Sequence, residues 1–280
     1  MIQPRQRGAA LLHDIETTQP ATRQVAIWWL GQSGYAIKSA SAFLYIDLYL
    51  SEHLTTKYAD TPKPHTRMTE APLRGADITN ARYVFASHHH SDHLDPGTLP
   101  ALFTASPQAQ LVLPAAHVAH AVSLGLARER LLPVRGDEVL ELDGLRIHCL
   151  PSAHPGLDHE TATGYPFLGF VFEMDGVRLY HSGDTLAYDG LTERLRALQP
   201  DIAFLPINGR AGGAGTPPNM DTAEAVTLAR AASIPLVIPH HYDMFAFNTA
   251  DVADFAALSD AAGQPYRVLS CVERYVFQQD

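Results

Sequence analysis

Short apolar runs alternate along the chain with Gly-, Ser- and Pro-containing turns, and the spacing of those runs predicts its elements. After a polar leader, residues 25–30, 34–38 and 42–47 read as β-strands joined by turns, the pattern of a meander. A polar, Pro-containing stretch at 51–80 follows. So long a connection inside a compact domain is more often a functional loop than a linker, which makes it a candidate wall for a substrate pocket. Residues 83–87, Tyr-Val-Phe-Ala-Ser, then run directly into His88-His89-His90-Ser91-Asp92-His93-Leu94-Asp95. The histidines therefore belong on a loop at a strand's C-terminal end.

Further strands are predicted at 110–113, 145–150, 167–173, 177–181, 202–206 and 235–239, and helical patterns at 191–198, 222–232 and 252–258. The helix at 222 has a start signal: Asp221 can cap free N–H groups while Glu224 reaches back. Strands and helices mixed in this way indicate an α/β-type layered fold. There is no low-complexity segment and no short-period repeat. Two halves, each β-rich and then α-rich, are expected to meet near 150–165 within a single domain spanning residues 1–280.

Composition narrows the partners. Hydrophobic residues make up 46% of the 280 residues, ample for a buried core. The 30 acidic against 20 basic residues give a formal charge of -10, and no Lys/Arg cluster suits a phosphate backbone, so nucleic acid is not expected as a partner. Cys149 and Cys271 each lie in an apolar run, which suggests buried thiols and a reducing cytoplasm rather than a secreted disulfide framework. Arg5 and Arg7 precede no apolar stretch long enough for a signal peptide, and no membrane-spanning segment is expected. The 15 histidines stand out, because neutral imidazole is the commonest ligand of transition metals near pH 7.

Their placement carries the chemistry. His88-x-His90-x-Asp92-His93 puts four ligand-type side chains into six residues, which only a turning loop can aim at one small volume. On an extended segment His88 and His90 point the same way, while Asp92 and His93 can turn into a second site beside it. This H-x-H-x-D-H loop after a strand resembles the signature of the metallo-β-lactamase superfamily, and the resemblance spans nearly the whole chain. A later histidine of that pattern matches His154 in Pro-Ser-Ala-His-Pro-Gly, the bridging aspartate matches Asp184 in Leu-Tyr-His-Ser-Gly-Asp-Thr, and the last histidine matches His241 in Val-Ile-Pro-His-His-Tyr-Asp.

The resemblance implies an α/β (α+β) fold of the four-layer αββα sandwich type. It also implies that His88, His90 and His154 bind one divalent ion, that Asp92, His93 and His241 bind another, and that Asp184 bridges them around an attacking hydroxide. Asp92 and Asp184 are thus the expected catalytic residues, and Asp47 looks like the family's aspartate that fixes a ligand from behind. Zn²⁺ is favoured and Mn²⁺ is the alternative, since His and Asp ligands suit both. Residues 29–34, the loop 85–95, Asn219-Met220-Asp221-Thr222 and residues 239–245 are most similar to the L-ascorbate-6-phosphate lactonase branch, although Gln32 stands where many relatives carry His.

That branch implies a hydrolase of a lactone or carboxylic ester of a small, phosphorylated or otherwise anionic molecule. The alternatives are a phosphodiesterase on a small molecule or nucleotide, and a non-catalytic metal-binding or sensing protein. Family habit implies a homo-oligomer. Weaker substrate candidates are Asn208, Arg210 with the Gly-rich run 209–216, Arg67 in the long connection, and Tyr242 and Asp243 beside a ligand. For Arg210 a solvated turn, and for Tyr242 simple aromatic packing, are equally open. Alternation turns His89 and His240 away from the metals, and His181 packs or orients its loop. His13, His53, His65, His117, His120, His148 and His159 read as ordinary surface or core histidines.

Overall fold

Apolar faces of two successive sets of strands find each other and form the core. The computed structural model describes residues 1–209 and 218–279. Helix α1 (Gly8–Thr17) precedes the meander β1 (Gln24–Gly31), β2 (Gly34–Lys38) and β3 (Phe43–Ile46). The short helix α2 (His53–Lys57) lies in the long connection to β4 (Tyr83–Phe85), after which come α3 (Leu99–Ala105), β5 (Gln110–Pro114), α4 (Val118–Ser123) and β6 (Leu131–Val134). The second half comprises β7 (Glu138–Leu142), β8 (Leu145–Pro151), β9 (Leu168–Met174), β10 (Val177–His181), α5 (Leu191–Leu198), β11 (Ile202–Pro206), α6 (Thr222–Ala231), β12 (Leu236–His240), α7 (Val252–Ala262) and β13 (Arg274–Gln278).

The strands form a seven-stranded sheet in the order β13-β1-β2-β3-β4-β5-β6 and a six-stranded sheet in the order β12-β11-β10-β9-β8-β7. Each is antiparallel at its start and parallel later: β3 to β6 run parallel in the first, β10 to β12 in the second. Strand β13 returns to pair with β1, so the end of the chain closes the first sheet.

The inner faces meet through aromatic rings. Phe85 of β4 packs edge-on against Phe170 and Phe172 of β9, with centroids 5.4 and 4.9 Å away, and Tyr35 of β2 meets Phe204 of β11 at 4.5 Å. All five side chains are fully buried in one continuous core. Each contributes about 1.5–3 kcal/mol by leaving water. On the first sheet's side, α1 buries Leu11 and Ile15, and its Asp14 accepts a hydrogen bond from the indole of Trp28 in β1 at 2.8 Å. On the other side α6 packs against β11 and α7. The expected layered sandwich is therefore present.

Asp221 and Glu224 form the expected reciprocal cap, with Glu224 N–H donating to Asp221 at 2.9 Å and Asp221 N–H donating to Glu224 at 2.8 Å. The stretch read as a polar leader contains α1, ten residues long. The halves divide between β6, which ends at Val134, and β7, which starts at Glu138, rather than at 150–165. Strand β7 reads Glu-Val-Leu-Glu-Leu and lies at a sheet edge with no side chain fully buried, so its apolar signal is faint. Both cysteines are buried free thiols. Among the described residues no helix is long and apolar enough to cross a membrane.

Candidate metal centre

The strand ends that follow one another across both sheets deliver their loops to the same edge of the sandwich. Asp47 follows β3, residues 87–93 follow β4, His154 follows β8, Asp184 follows β10 and His241 follows β12. The loop after β4 turns sharply, since the N–H groups of His93 and Leu94 both donate to His90 O, at 2.9 and 2.8 Å. That turn carries Asp92 and His93 around to a second face. Asp95 locks it from below: its carboxylate accepts from Ser51 Oγ at 2.7 Å, Gly97 N–H at 2.8 Å and Thr98 Oγ1 at 2.6 Å.

One set of donors is made of three imidazoles. His88 Nε2 and His90 Nδ1 lie 2.9 Å apart, and ligand-capable atoms of His88, His90 and His154 all fall within 4.8 Å of one another. The far nitrogens are held by the protein: His88 Nδ1 is 3.0 Å from Ser87 Oγ, and His154 Nδ1 donates to Pro218 O at 3.1 Å. Phe167 packs against the rings of His88 and His154, each with its centroid 5.4 Å away. Burial pushes the pKa of His90 down to about 4, and it lowers those of His88 and His154 as well. Burial thus favours the neutral form of all three rings, the form that binds a cation.

The other set is Asp92, His93 and His241, again within 4.8 Å. Asp184 lies between the two. Its Oδ1 is 3.4 Å from His93 Nε2, while its Oδ2 is 3.5 Å from His241 Nε2 and 3.8 Å from His154 Nε2. Burial opposes charge on both His93 and Asp184. Even so, the carboxylates of Asp184, Asp47 and Asp92 hold His93 well above the usual histidine range, and His93 and His241 hold Asp184 well below the usual carboxylate range.

Asp47 meets His93 from behind. Its Oδ2 accepts from His93 Nδ1–H at 2.8 Å and from Ser87 Oγ at 2.7 Å, and its Oδ1 accepts from Ser87 N–H at 2.7 Å. Ser87 thus touches Asp47, His88 and His93, a part the sequence reading missed. His93 Nε2 and Asp184 Oδ1 are buried without a hydrogen-bond partner. Such groups cost about 1–3 kcal/mol each, and imidazole nitrogens converging with carboxylate oxygens form a donor set suited to Zn²⁺, Mn²⁺ or Fe²⁺. The residues present fit two divalent cations.

A cleft of about 380 Å³ opens above the two sets. His90, Asp92, Asp184 and His241 line its polar side, and Leu54, Tyr58, Phe245 and Phe247 form an apolar wall. Lys57 and Lys63 line it too. Together with Lys38 they are all the lysines of the chain. The stretch 51–80 thus walls a pocket, as its length suggested. His65 and His120, read as ordinary histidines, also line the cleft, and His65 stacks on Tyr58 with centroids 4.3 Å apart.

Several weaker candidates have other duties. Arg67 is buried and donates to the carbonyls of Thr69, Ser51 and Tyr49 at 2.9, 2.7 and 3.2 Å, so it pins the long connection and does not line the cleft. Tyr242 stacks on Trp29 at 4.4 Å and donates its hydroxyl to Leu269 O at 2.5 Å, which is the packing reading. Asp243 is likewise not a lining residue. Asn208 braces two residues that do line the cleft, accepting from Asn219 at 3.0 Å and donating to Asn248 at 2.9 Å. Arg210 and the rest of the Gly-rich run to 216 lie outside the described residues.

His240 and His181 stack on each other, centroids 5.2 Å apart, with His240 Nδ1 2.9 Å from Ser33 Oγ and His181 Nε2 donating to Ser33 O at 2.8 Å. Alternation places His240 away from the donors, the sequence reading has His181 packing or orienting its loop, and both rings stand behind the donors. His89 also turns from the metals, packing on His117 at 4.6 Å, yet it reaches the cleft's rim.

A family model described as "Beta-lactamase superfamily domain" matches residues 59–242. The chain is 25% identical over 280 residues to a protein of Escherichia coli O45:K1 (strain S88 / ExPEC) named "Probable L-ascorbate-6-phosphate lactonase UlaG", covering 90% of this chain and 78% of the relative. Among solved structures it is similar to Igni18, a metallo hydrolase of Ignicoccus hospitalis KIN4/I, with a TM-score of 0.67 and 22% identity over 92% of this chain and 100% of that one. It is also similar to an isothiocyanate hydrolase from Delia radicum gut bacteria, with a TM-score of 0.72 and 18% identity over 91% of this chain and 100% of that one. These two structural likenesses bear on the fold alone.

Proposed function

The chain belongs to the beta-lactamase superfamily and is one of its metallo-hydrolases, and from that premise we propose that it opens a lactone or carboxylic ester of a small anionic molecule with the help of two divalent cations. The observation that carries this reading is the carboxylate of Asp184, set between two groups of ligand-type side chains at the floor of an accessible cleft. His88, His90 and His154 would hold one ion, Asp92, His93 and His241 the other, and Asp184 both. When bound, such a pair polarises a carbonyl oxygen and lowers the pKa of water towards neutrality.

The chain's own residues do the rest. Asp92, whose side chain is 16% exposed against 5% for Asp184, faces the cleft and can accept a hydrogen bond from the attacking water, aiming it at the carbonyl carbon. Water adds to that carbon and passes a proton to Asp92, the C–O bond to the leaving oxygen breaks, and the alkoxide takes that proton, giving a hydroxy acid from a lactone or an acid and an alcohol from an ester. No covalent bond to the protein is required. Lys57 and Lys63 at the cleft of a chain with a formal charge of -10 favour a negatively charged substrate, because a local positive pair against an acidic surround marks where an anion is drawn in. Leu54, Tyr58, Phe245 and Phe247 offer its carbon skeleton an apolar seat. The lactonase named above, similar along most of its length, supports the substrate class. Buried free thiols support a cytoplasmic setting. Zn²⁺ is the favoured ion and Mn²⁺ the alternative.

The test is a hydrolysis screen of metal-loaded protein across lactones, phosphorylated lactones and phosphodiesters. Lactone turnover that disappears with chelation and in Asp184→Asn is expected, together with a raised KM for anionic substrates in Lys57→Met/Lys63→Met. Turnover confined to phosphodiesters would replace this reading with a phosphodiesterase, and none in any class would leave a metal-binding protein.

A further inference from the structure

We propose that the side-chain carbonyl of Gln32 is an additional ligand of the second cation, alongside Asp92, His93, His241 and Asp184. This rests on the two-cation reading above. Gln32 sits in the β1–β2 turn, wholly buried, with φ at +50°. A left-handed backbone at a residue other than glycine costs on the order of 1 kcal/mol, so the surroundings must hold it there. They do: Gln32 O accepts from the Trp29 indole at 2.9 Å and from His241 N–H at 3.2 Å. The turn is thus tied to the backbone of a proposed ligand.

The tip of the side chain lies among the donors. Gln32 Nε2 is 2.8 Å from Asp92 Oδ2 and 3.0 Å from His241 Nε2, two atoms that are themselves 3.8 Å apart. The other amide atom, Oε1, is buried with no hydrogen-bond partner. A half-turn of the terminal amide exchanges oxygen and nitrogen at almost no change of shape. Turned so, the oxygen takes the place near Asp92 and His241, at the cost of the N–H bond to Asp92, and it stands 2.8 Å from a carboxylate oxygen, an approach that a cation shared by the two would stabilise. Without a cation the N–H bond to Asp92 keeps the nitrogen on that side, whereas a cation between the two groups would draw the oxygen in its place.

The separations of Gln32 from its two neighbours agree with membership of one coordination shell, while Asp92 Oδ2 and His241 Nε2, 3.8 Å apart, stand wider than adjacent donors of a regular shell. For metal–donor bonds of about 2.1 Å, adjacent donors are roughly 3.0 Å apart in an octahedron and roughly 3.4 Å apart in a tetrahedron. The 2.8 and 3.0 Å separations of Gln32 match the octahedral edge. An amide oxygen is a hard donor, and with Asp92 and Asp184 it gives this site three oxygen ligands beside two imidazoles. The three-histidine site has one. Gln32 therefore biases the second site towards a harder ion with more ligands, of the Mn²⁺ class, and leaves the first to Zn²⁺-type coordination.

A competing role is available on the same contacts: Gln32 could simply donate N–H bonds that hold Asp92 and His241 in place. Two substitutions separate the roles. Stepwise Mn²⁺ affinities are measured by competition with a chelator on the full chain, with electron paramagnetic resonance of the loaded protein reporting paired or isolated Mn²⁺ and circular dichroism reporting the fold. Gln32→Leu should weaken the second ion tenfold or more, leave the first within about twofold and convert the paired signal to an isolated one. Gln32→Glu, nearly isosteric and unable to donate, should bind the second ion at least as tightly as wild type. If Gln32→Glu weakens it as Leu does, the side chain acts as a donor and the proposal is overturned. Two ions bound with unchanged affinity in both variants overturn it while leaving the two-cation reading intact. A wild-type protein that takes no second ion overturns both.

Discussion

Replacing Asp47 by Asn changes one atom in a fully buried group and should uncouple the second cation from the fold. In the wild type, Asp47 Oδ2 accepts from both Ser87 Oγ and His93 Nδ1, at 2.7 and 2.8 Å, and Oδ1 accepts from Ser87 N–H. An asparagine that keeps its oxygen on Ser87 N–H must turn its NH₂ towards the other two. Ser87 can accept from it. His93 Nδ1 can do so only if the ring proton moves to Nε2, the atom 3.4 Å from Asp184 that would face the cation.

The stability loss follows from exchanging charge-assisted hydrogen bonds, worth about 1.5–3 kcal/mol each, for neutral ones of about 0.5–1.5, over the two contacts of Oδ2. Metal-free protein should therefore lose about 2–3 kcal/mol in urea unfolding. Misorienting a ligand from behind typically costs about 10–100-fold in metal affinity, or about 1.4–2.7 kcal/mol. Chelator competition should show that loss for one ion, with the ion at His88, His90 and His154 less affected. Unfolding is measured without metal because bound cations would stabilise the native state and mix the two effects. Both ions binding Asp47→Asn within twofold of wild type would refute this role for the carboxylate.

Phe85→Ala should remove about 3–5 kcal/mol of stability, since the ring is fully buried between the sheets against Phe170 and Phe172; a loss under about 1 kcal/mol by urea unfolding would contradict that packing. Asp221→Ala breaks the reciprocal cap of α6 and should cost about 1 kcal/mol while leaving the number of bound ions unchanged. Burial pushes the thiols of Cys149 and Cys271 up to about 12, so both stay protonated at pH 8. A thiol reagent should leave native protein unlabelled at that pH and label both in guanidinium; rapid native labelling would contradict their burial.

The parts of this molecule that were legible in the sequence are those whose signal is local. Four donors in six residues announce the loop 88–93, and the predicted strands 34–38 and 202–206 coincide with β2 and β11 because their runs are almost wholly buried. Asp221 and Glu224 announced a helix start for the same reason. Helix α1 escaped notice because its buried positions are only Leu11 and Ile15, one contact stripe in ten residues. Strand β13, exposed and half-buried by turns at a sheet edge, has little apolar pattern to read.

The site shows the same division. His154, Asp184 and His241 stand far apart along the chain, and only motif resemblance grouped them with residues 88–93. Gln32 escaped notice as a neighbour of the donors because its partners Asp92 and His241 are 60 and 209 residues away, a proximity created by stacking the sheets. Ser87 is one more serine at the end of a strand until Asp47 meets it across β3 and β4. The apolar wall of the cleft joins Leu54 and Tyr58 to Phe245 and Phe247, and no spacing rule connects those segments.

The number of divalent ions held per chain bears most directly on the central claim. Purified protein stripped with a chelator, reloaded with Zn²⁺ or Mn²⁺ and freed of excess should carry two ions per chain by elemental analysis, and Asp184→Asn should carry fewer. A wild-type chain that retains one ion or none would contradict a centre in which Asp184 serves two.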